Sequence, residues 1–422
     1  MNEEFLKYLW KYKLLTPDLY TENNDKIEII SSGQHNTNSG PDFFNAKVKI
    51  GDTLWAGNVE IHTKSSDWNL HKHTDDDAYD SIILHVVFKN DLDIYRKNKE
   101  LVPVLLVEGK YDNNLYLQYQ DFIESHNWIP CEKLIVNVDK FIFYSWLERL
   151  SIERLERKTS EINDIHSATN MNWSETFYRV IAKNFGFKLN ALPFELLAQS
   201  LPLAYLARHK NSLFQLEAML FGQAGMLNSE LKDDFPLALV KEYEFLKKKY
   251  HLQPIEGSLW KFLRLRPANF PTIRISQFAH FIYQSSSIFS KILESEDIKE
   301  ITNMFDVTAS DYFDTHFIFD EPALKEKSKI IGEYSSSLLI LNTIIPLIFL
   351  YGIKNNNTKY KQRALKFLEQ LKPENNSIIK RWILLKIKPE NASQSQALLE
   401  LKNVYCDNKK CLECRVGSYI LK

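Results

Sequence analysis

GPDFFNAKVKIGDTLWAGNVEIHTK, residues 40–64, reads as two strands joined by a tight turn. Phe44, Ala46, Val48 and Ile50 alternate with polar neighbours, the period of a half-buried strand. Gly51-Asp52 supplies the turn, and the stretch from Leu54 to His62 returns as a second strand. Residues two apart share a strand face, so Glu60, His62 and Lys64 are expected to point one way. Asp42 opens the partner strand, and its carboxylate is expected to converge on the same patch. Four of the eleven histidines fall within residues 40–85, namely His62, His71, His73 and His85, with His35 just upstream. Nowhere else are metal ligands and acid–base groups so dense.

Outward from this hairpin the periodicity changes by stages. Residues 2–14 place Phe5, Leu6, Leu9, Trp10 and Leu14 at helical spacing. Residues 26–30 alternate like a strand, 31–40 are turn-rich, and 67–81 are polar enough for a short helix or a loop. Residues 81–88 are nearly all apolar, as in a central strand, and 101–107 read as a further strand. Beyond about residue 115 the helical period takes over. Helices are expected over 141–162, over 173–185 with Gly186 at the C′ position, and over 194–207, 211–226, 237–248 and 273–283. Almost no strand signal follows residue 140. The expected fold is α+β: an N-terminal mixed β-sheet domain (1–136), a mostly α-helical domain (137–352) and a basic helical tail (353–422) with a cysteine cluster.

Composition narrows the function classes. A chain of 422 residues with 44% hydrophobic and 25% charged content is an ordinary globular protein of two or three domains. Only 12 glycines, and neither Gly-rich phosphate-loop pattern, argue against a nucleotide-binding fold. The N-terminus is acidic without an apolar leader, and the apolar run 338–351 is short and contains Asn342 and Pro346. That run is expected to be a buried helix, and the protein cytoplasmic, without membrane contact and with reduced cysteines. Net charge is −1, yet residues 353–422 carry fifteen Lys/Arg against six Asp/Glu. Such a surface either meets a phosphate backbone or is simply solvated.

Two carboxylates at strand positions suit Mg²⁺ or Mn²⁺, so Asp42 and Glu60 are candidate ligands, with His62 or Lys64 handling water and charge. His71 and His73, with Asp67 or Asp77, can instead hold Zn²⁺ or Mn²⁺, or form a solvated loop. His85 is either a core histidine or a further ligand. Cys406-x₄-Cys411-x₂-Cys414 is a metal-ligand spacing, and Cys131 is the available fourth thiol for Zn²⁺ or an iron–sulfur cluster; redox-active or buried thiols are the alternative. Arg264, Arg266 and Arg274, with Phe270 among them, can contact nucleic-acid phosphates and bases or merely bridge helices. Residues 217–225 read as close helix packing with a paired Glu217.

Pro41-Asp42, an eighteen-residue step and Glu60-Ile61-His62 resemble the restriction-endonuclease-like PD-(D/E)xK nuclease superfamily, as does the order helix, antiparallel strands, helix, strand. That resemblance implies a metal-dependent nuclease acting on DNA or RNA. The lysine of the motif falls on His62 here, so its role passes to Lys64 or His62, or hydrolysis is lost. Some nucleases of that superfamily clip one distant cysteine to a C-terminal trio through an iron–sulfur cluster, which implies the same for Cys131, Cys406, Cys411 and Cys414. At whole-chain level Gly40-Pro41-Asp42-Phe43, residues 57–62, Asp67-Trp68, residues 84–87 and the cysteine tail resemble an uncharacterised bacterial family, a domain of unknown function. It implies that these residues belong together and names no reaction. Two further readings stand beside the nuclease: a nucleic-acid-binding scaffold on an inactive nuclease-like core, and a His/carboxylate metallohydrolase.

Overall fold

In the computed structural model, which describes residues 1–284 and 288–422, the hairpin at 43–64 lies within a seven-stranded sheet. Its strands are β1 (Leu19–Tyr20), β2 (Lys26–Ser31), β3 (Gln34–His35), β4 (Phe43–Ile50), β5 (Thr53–Lys64), β6 (Ile82–Lys89) and β7 (Val104–Leu106). Their order is β1-β2-β4-β5-β6-β7, with β3 paired to β4 inside the stretch expected to be only a loop. Strands β1, β2, β4 and β5 are antiparallel neighbours in turn, with Gly51-Asp52 the tight turn between β4 and β5. The crossover through the short helix α2 (Asp67–Leu70) then makes β6 parallel to β5. Six consecutive residues of β6 are buried, as a strand covered on both faces requires. A bridge from Thr21 to Leu105 brings the two edge strands together and shields their free backbone groups.

One residue in β4 departs from the expected alternation. Asn45 adopts φ +55°, and the β4–β5 register shifts between Phe43 and Ala46. The bulge turns Phe43, rather than Phe44, into the core beside Ala46 and Val48. Gly33 backs it, because a Cβ there would lie 2.4 Å from the Phe44 carbonyl oxygen. The consequence is one of register. The outer half of the hairpin pairs Ala46 with Gly57 and would set Asp42 opposite Ile61; beyond the bulge Phe43 pairs with Val59, which sets Asp42 opposite Glu60.

Two compact units share the chain, residues 1–146 with 400–422 and residues 147–399. The divisions expected at 136 and 352 differ from these. The basic stretch 353–422 contributes to the second unit as far as Leu399 and to the first from Glu400. In the first unit, helix α1 (Glu3–Lys11) is capped by Asn2, whose side chain accepts from the Phe5 amide at 3.0 Å, and it packs on β5. The second unit is helical around an aromatic core that includes Phe177, Phe185, Phe194, Phe221, Phe278 and Phe281.

Several expectations for the helical unit are corrected. The helix expected over 194–207 breaks into Ala191–Ser200 and Leu203–Ala207, because Pro202 disfavours helical backbone at Leu201. A small hairpin, His316–Ile318 with Glu321–Pro322, interrupts the helices. Gly186 follows Trp173–Phe185 but is right-handed, at φ −71°. It is required for space, since a Cβ would meet the Asn190 carbonyl oxygen at 2.1 Å. The apolar run 338–351 sits in a longer helix, Glu333–Lys354, long and apolar enough to cross a membrane by length and composition, with 72% of its apolar window buried inside the protein. A π-helical turn over Ile340–Ile344 precedes Pro346, and Asn184 donates to the Asn342 carbonyl that proline cannot serve.

Glu217 is buried in the helix Leu213–Gln223, and its partner is the Ser276 hydroxyl. Close packing is as expected there, since a Cβ on Gly222 would lie 2.1 Å from the Tyr243 ring. Burial pushes the Glu217 carboxyl up to about 7, against the pull of Ser276 and Ser310. The unfolded chain loses this proton near 4.5 and the folded chain near 7, so stability falls as pH rises between them. Glu217→Gln is expected to leave urea unfolding unchanged near the lower pH and to stabilise by up to about 3 kcal/mol above the upper one.

Candidate metal centre

Asp42 and Glu60 meet across the hairpin as the register dictates. The Asp42 amide donates to Glu60 Oε2 at 3.0 Å, and the Ile61 amide donates to Asp42 Oδ2 at 3.1 Å. The other Asp42 oxygen, Oδ1, receives Lys7 Nζ from α1 at 2.7 Å. Asp42 is therefore held by an ammonium and an amide, while Glu60 Oε1 turns toward the histidines.

Those histidines come from two strands and the crossover. His62 Nδ1 lies 2.9 Å from His85 Nε2, and His62 Nε2 lies 3.1 Å from His71 Nδ1. Glu60 Oε1 is 3.5 Å from His62 Nε2 and 3.3 Å from His73 Nε2. The latter contact lies off the line of a hydrogen bond, so His73 Nε2 is buried without an aligned partner. Ligand atoms of His62, His71 and His73 all fall within 4.8 Å of one another. A tetrahedral ion with ligands at 2.0–2.1 Å separates them by about 3.3 Å, a value approached by the His62–His71, Glu60–His62 and Glu60–His73 contacts. His85, behind His62, is placed to fix that ring's tautomer, as second-layer partners of metal-bound imidazoles do.

The electrostatics favour neutral imidazoles at His62 and His85. Burial, and then the His85, His73 and His71 rings, hold His62 down to about 2; burial and His73 hold His85 down to about 3. Burial pushes the Glu60 carboxyl up, His73 pulls it back and Asp42 pushes it further. A bound cation would relieve all three groups, since it favours unprotonated nitrogen and ionised carboxylate together.

The crossover is positioned by short-range caps. Asp67 Oδ2 accepts from the Lys64 amide at 2.9 Å and from the Thr63 hydroxyl at 3.0 Å. Trp68 is buried and donates to Thr74 Oγ1 at 3.0 Å, while His73 stacks on Tyr79 with centroids 3.8 Å apart. Asp67 thus shapes the turn, and the exposed Asp77 pairs with Lys97 at 2.7 Å. His71 is exposed, which opens the cluster to solvent.

Asp42, Glu60, His62, His71, His73 and His85 are therefore brought together. Lys64 is not among them; it is exposed at the strand end. Lys7, which the sequence reading passed over, is the ammonium at the site. Its only sequence signal was a polar position in an otherwise apolar-faced helix. His35 pairs its ring with Phe43 at 5.0 Å rather than joining the cluster. Arg264 and Arg266 are exposed, whereas Arg274 is only 4% exposed and bonds to Asn269, Gln277 and Ser335, which removes it from any surface that nucleic acid could meet.

All four cysteines lie in the first unit, unbridged, three of them buried. The C-terminal segment packs back on residues 123–146: Lys409 Nζ donates to the Ile123 carbonyl, Lys402 lies over the Trp128 ring at 5.3 Å, and Tyr405 meets Trp146 edge-on at 5.4 Å. Gly417 makes the tail fold possible, since a Cβ would lie 2.3 Å from the Cys411 carbonyl oxygen. Burial pushes the Cys411 thiol up to about 12, with Cys414 adding to it. Cys131 and Cys406 are raised by burial and then by the other thiols. Burial raises Cys414 as well, against donation from the Gly417 and Val416 amides and the Trp146 indole. The four sulfurs thus share one neighbourhood, and as protonated thiols they are poor nucleophiles.

No curated protein and no solved structure matches this chain. A family model matches residues 3–377, a span that holds every residue of the His/carboxylate cluster and Cys131 and ends before Cys406. The chain belongs to the family described as protein of unknown function (DUF2851).

Proposed function

We propose that the first unit is a metal-dependent hydrolase of phosphodiesters, with nucleic acid as substrate, whose zinc- or manganese-class ion is held by Glu60, His62, His71 and His73. The observation that carries this reading is a chain of three close contacts, 3.1 to 3.5 Å, linking the buried Glu60 carboxylate with His73 and His62 and His62 with His71. Imidazole ligands favour such ions over the Mg²⁺ expected for paired carboxylates. When bound, the ion supplies a Lewis acid and an activated water.

The chain's own groups complete the site. Asp42, tied to Lys7 and the Ile61 amide, orients Glu60 through its own amide. Lys7 places a positive charge where a phosphoryl oxygen gains negative charge, the part expected of Lys64. The exposed side at His71 admits substrate. The order helix, antiparallel strands, short helix and parallel strand supports a nuclease over other hydrolases.

We also infer that Cys131, Cys406, Cys411 and Cys414 hold zinc or an iron–sulfur cluster that clips residues 400–422 to the rest of the first unit. Their metal-ligand spacing in sequence and their mutual electrostatic influence support this, although their sulfurs are not gathered as closely as the nitrogens of His62, His71 and His73.

Labelled single- and double-stranded DNA and RNA, incubated with Mn²⁺, Zn²⁺ or Mg²⁺, test the hydrolase reading. Wild type and Lys64→Ala are expected to cleave, and Glu60→Gln and His73→Ala to lose about a hundredfold or more. Wild-type protein that binds metal but cuts no nucleic acid overturns the substrate; protein that binds none overturns the centre. For the thiol site, anaerobically purified protein is expected to carry metal that Cys131→Ser and Cys414→Ser both release. A coloured protein with iron and sulfide identifies a cluster and a colourless one identifies zinc, while unchanged metal content in both variants refutes the clip.

A further inference from the structure

The second unit contains a cavity of about 460 Å³, within the range of small-molecule sites. Phe185, Phe187, Leu189, Leu265 and Leu338 make most of its wall apolar. Arg274 also lines it and is only 4% exposed. Its guanidinium donates to Asn269 Oδ1 at 2.6 Å, Gln277 Oε1 at 2.9 Å and Ser335 Oγ at 3.0 Å, all neutral acceptors. Its Nε is buried without a partner, and among the described residues no carboxylate pairs with it. Burial lowers Arg274 to about 10, which still leaves it charged at neutral pH. A buried cation without a counter-charge is costly unless an anion completes it.

The backbone adds to the same field. Three helices begin at the cavity: Ala191–Ser200 behind Leu189 and Asn190, Pro271–Gln284 at its first residue, and Glu333–Lys354 at Tyr334 and Ser335. Each presents the positive end of its dipole, although Pro193 and Pro271 remove one amide from the first turn of two of them. Neither Asn190 nor Gly332 caps its helix with a side chain. The one acidic residue in those first turns, Glu333, is drawn outward to Lys372 at 2.8 Å. Phe187 holds φ +47°, a backbone region a bulky aromatic rarely adopts, and its ring lies 4.6 Å from the Arg274 guanidinium carbon.

We propose that this cavity binds a small organic anion, a carboxylate or phosphate monoester on an apolar or aromatic body. The anionic head meets Arg274 and the helix N-termini, and the body lies against Phe187 and Leu338. An oxyanion that replaces one neutral acceptor at a terminal guanidinium nitrogen supplies the counter-charge that Asn269, Gln277 and Ser335 cannot. This site is independent of the metal-centre reading.

Calorimetric titration of the full chain with phenyl phosphate, phenylacetate, inorganic phosphate and benzyl alcohol tests it. One or both aromatic anions are expected to bind, and the tighter identifies the head group. Arg274→Gln is expected to weaken binding roughly tenfold or more. Leu189→Trp, which fills the mouth and keeps the cation, is expected to do the same and decides the matter if Arg274→Gln fails to fold. Absence of binding by either aromatic anion overturns the proposal. So does benzyl alcohol or inorganic phosphate binding as tightly as phenyl phosphate, or affinity that survives Leu189→Trp.

Discussion

A single extra residue in β4 sets the geometry on which the His/carboxylate cluster depends. Strand side chains alternate with a period of two, so a one-residue change of register moves a side chain to the other face. At Asn45 the chain takes this step, and Asp42 comes to lie opposite Glu60 instead of Ile61. The Asp42 amide then secures one Glu60 oxygen, which leaves the other to face His62 and His73. Gly33 is what allows the neighbouring backbone to come close enough to brace the bulge.

The same arrangement accumulates groups that a stable core would avoid. Glu60, His62, His73 and His85 are all buried where the sheet changes from antiparallel to parallel, and two ring nitrogens there lack aligned partners. Buried polar atoms without partners cost roughly 1–3 kcal/mol each. The hairpin, Trp68 and the Asp67-capped turn hold them in place regardless. Polar groups concentrated at such a cost are what motivates the ligand proposals made for this cluster and for Arg274 in the helical unit.

Where residue type and local spacing carried the information, the sequence was legible. The strands around 43–64, the buried strand after residue 81, the α1 helix and the convergence of Asp42, Glu60 and His62 could be read from alternation and proximity, whereas His71 and His73 read equally as a solvated loop and His85 as a core histidine. The role of lysine could not. Lys64 shares the parity of Glu60 and His62, but the strand end carries it out to solvent, and the ammonium arrives from α1. Arg274 looked like Arg264 and Arg266 in sequence, yet its helix places it inside. A helix can turn a charged residue inward when its neighbours supply amide and hydroxyl acceptors, and these lie far apart in sequence.

The amino-acid sequence by itself determined the α+β class, the β-hairpin and the inventory of candidate ligands, because patterns of period 2 and 3.6 are local properties of the chain. The bulge register, Lys7 as the partner of Asp42 and the cavity at three helix N-termini were decided only by the tertiary structure. So was the split of the basic tail between two units. Each depends on which distant segments share surface, and such pairings depend on packing the whole core rather than on any one segment's preference.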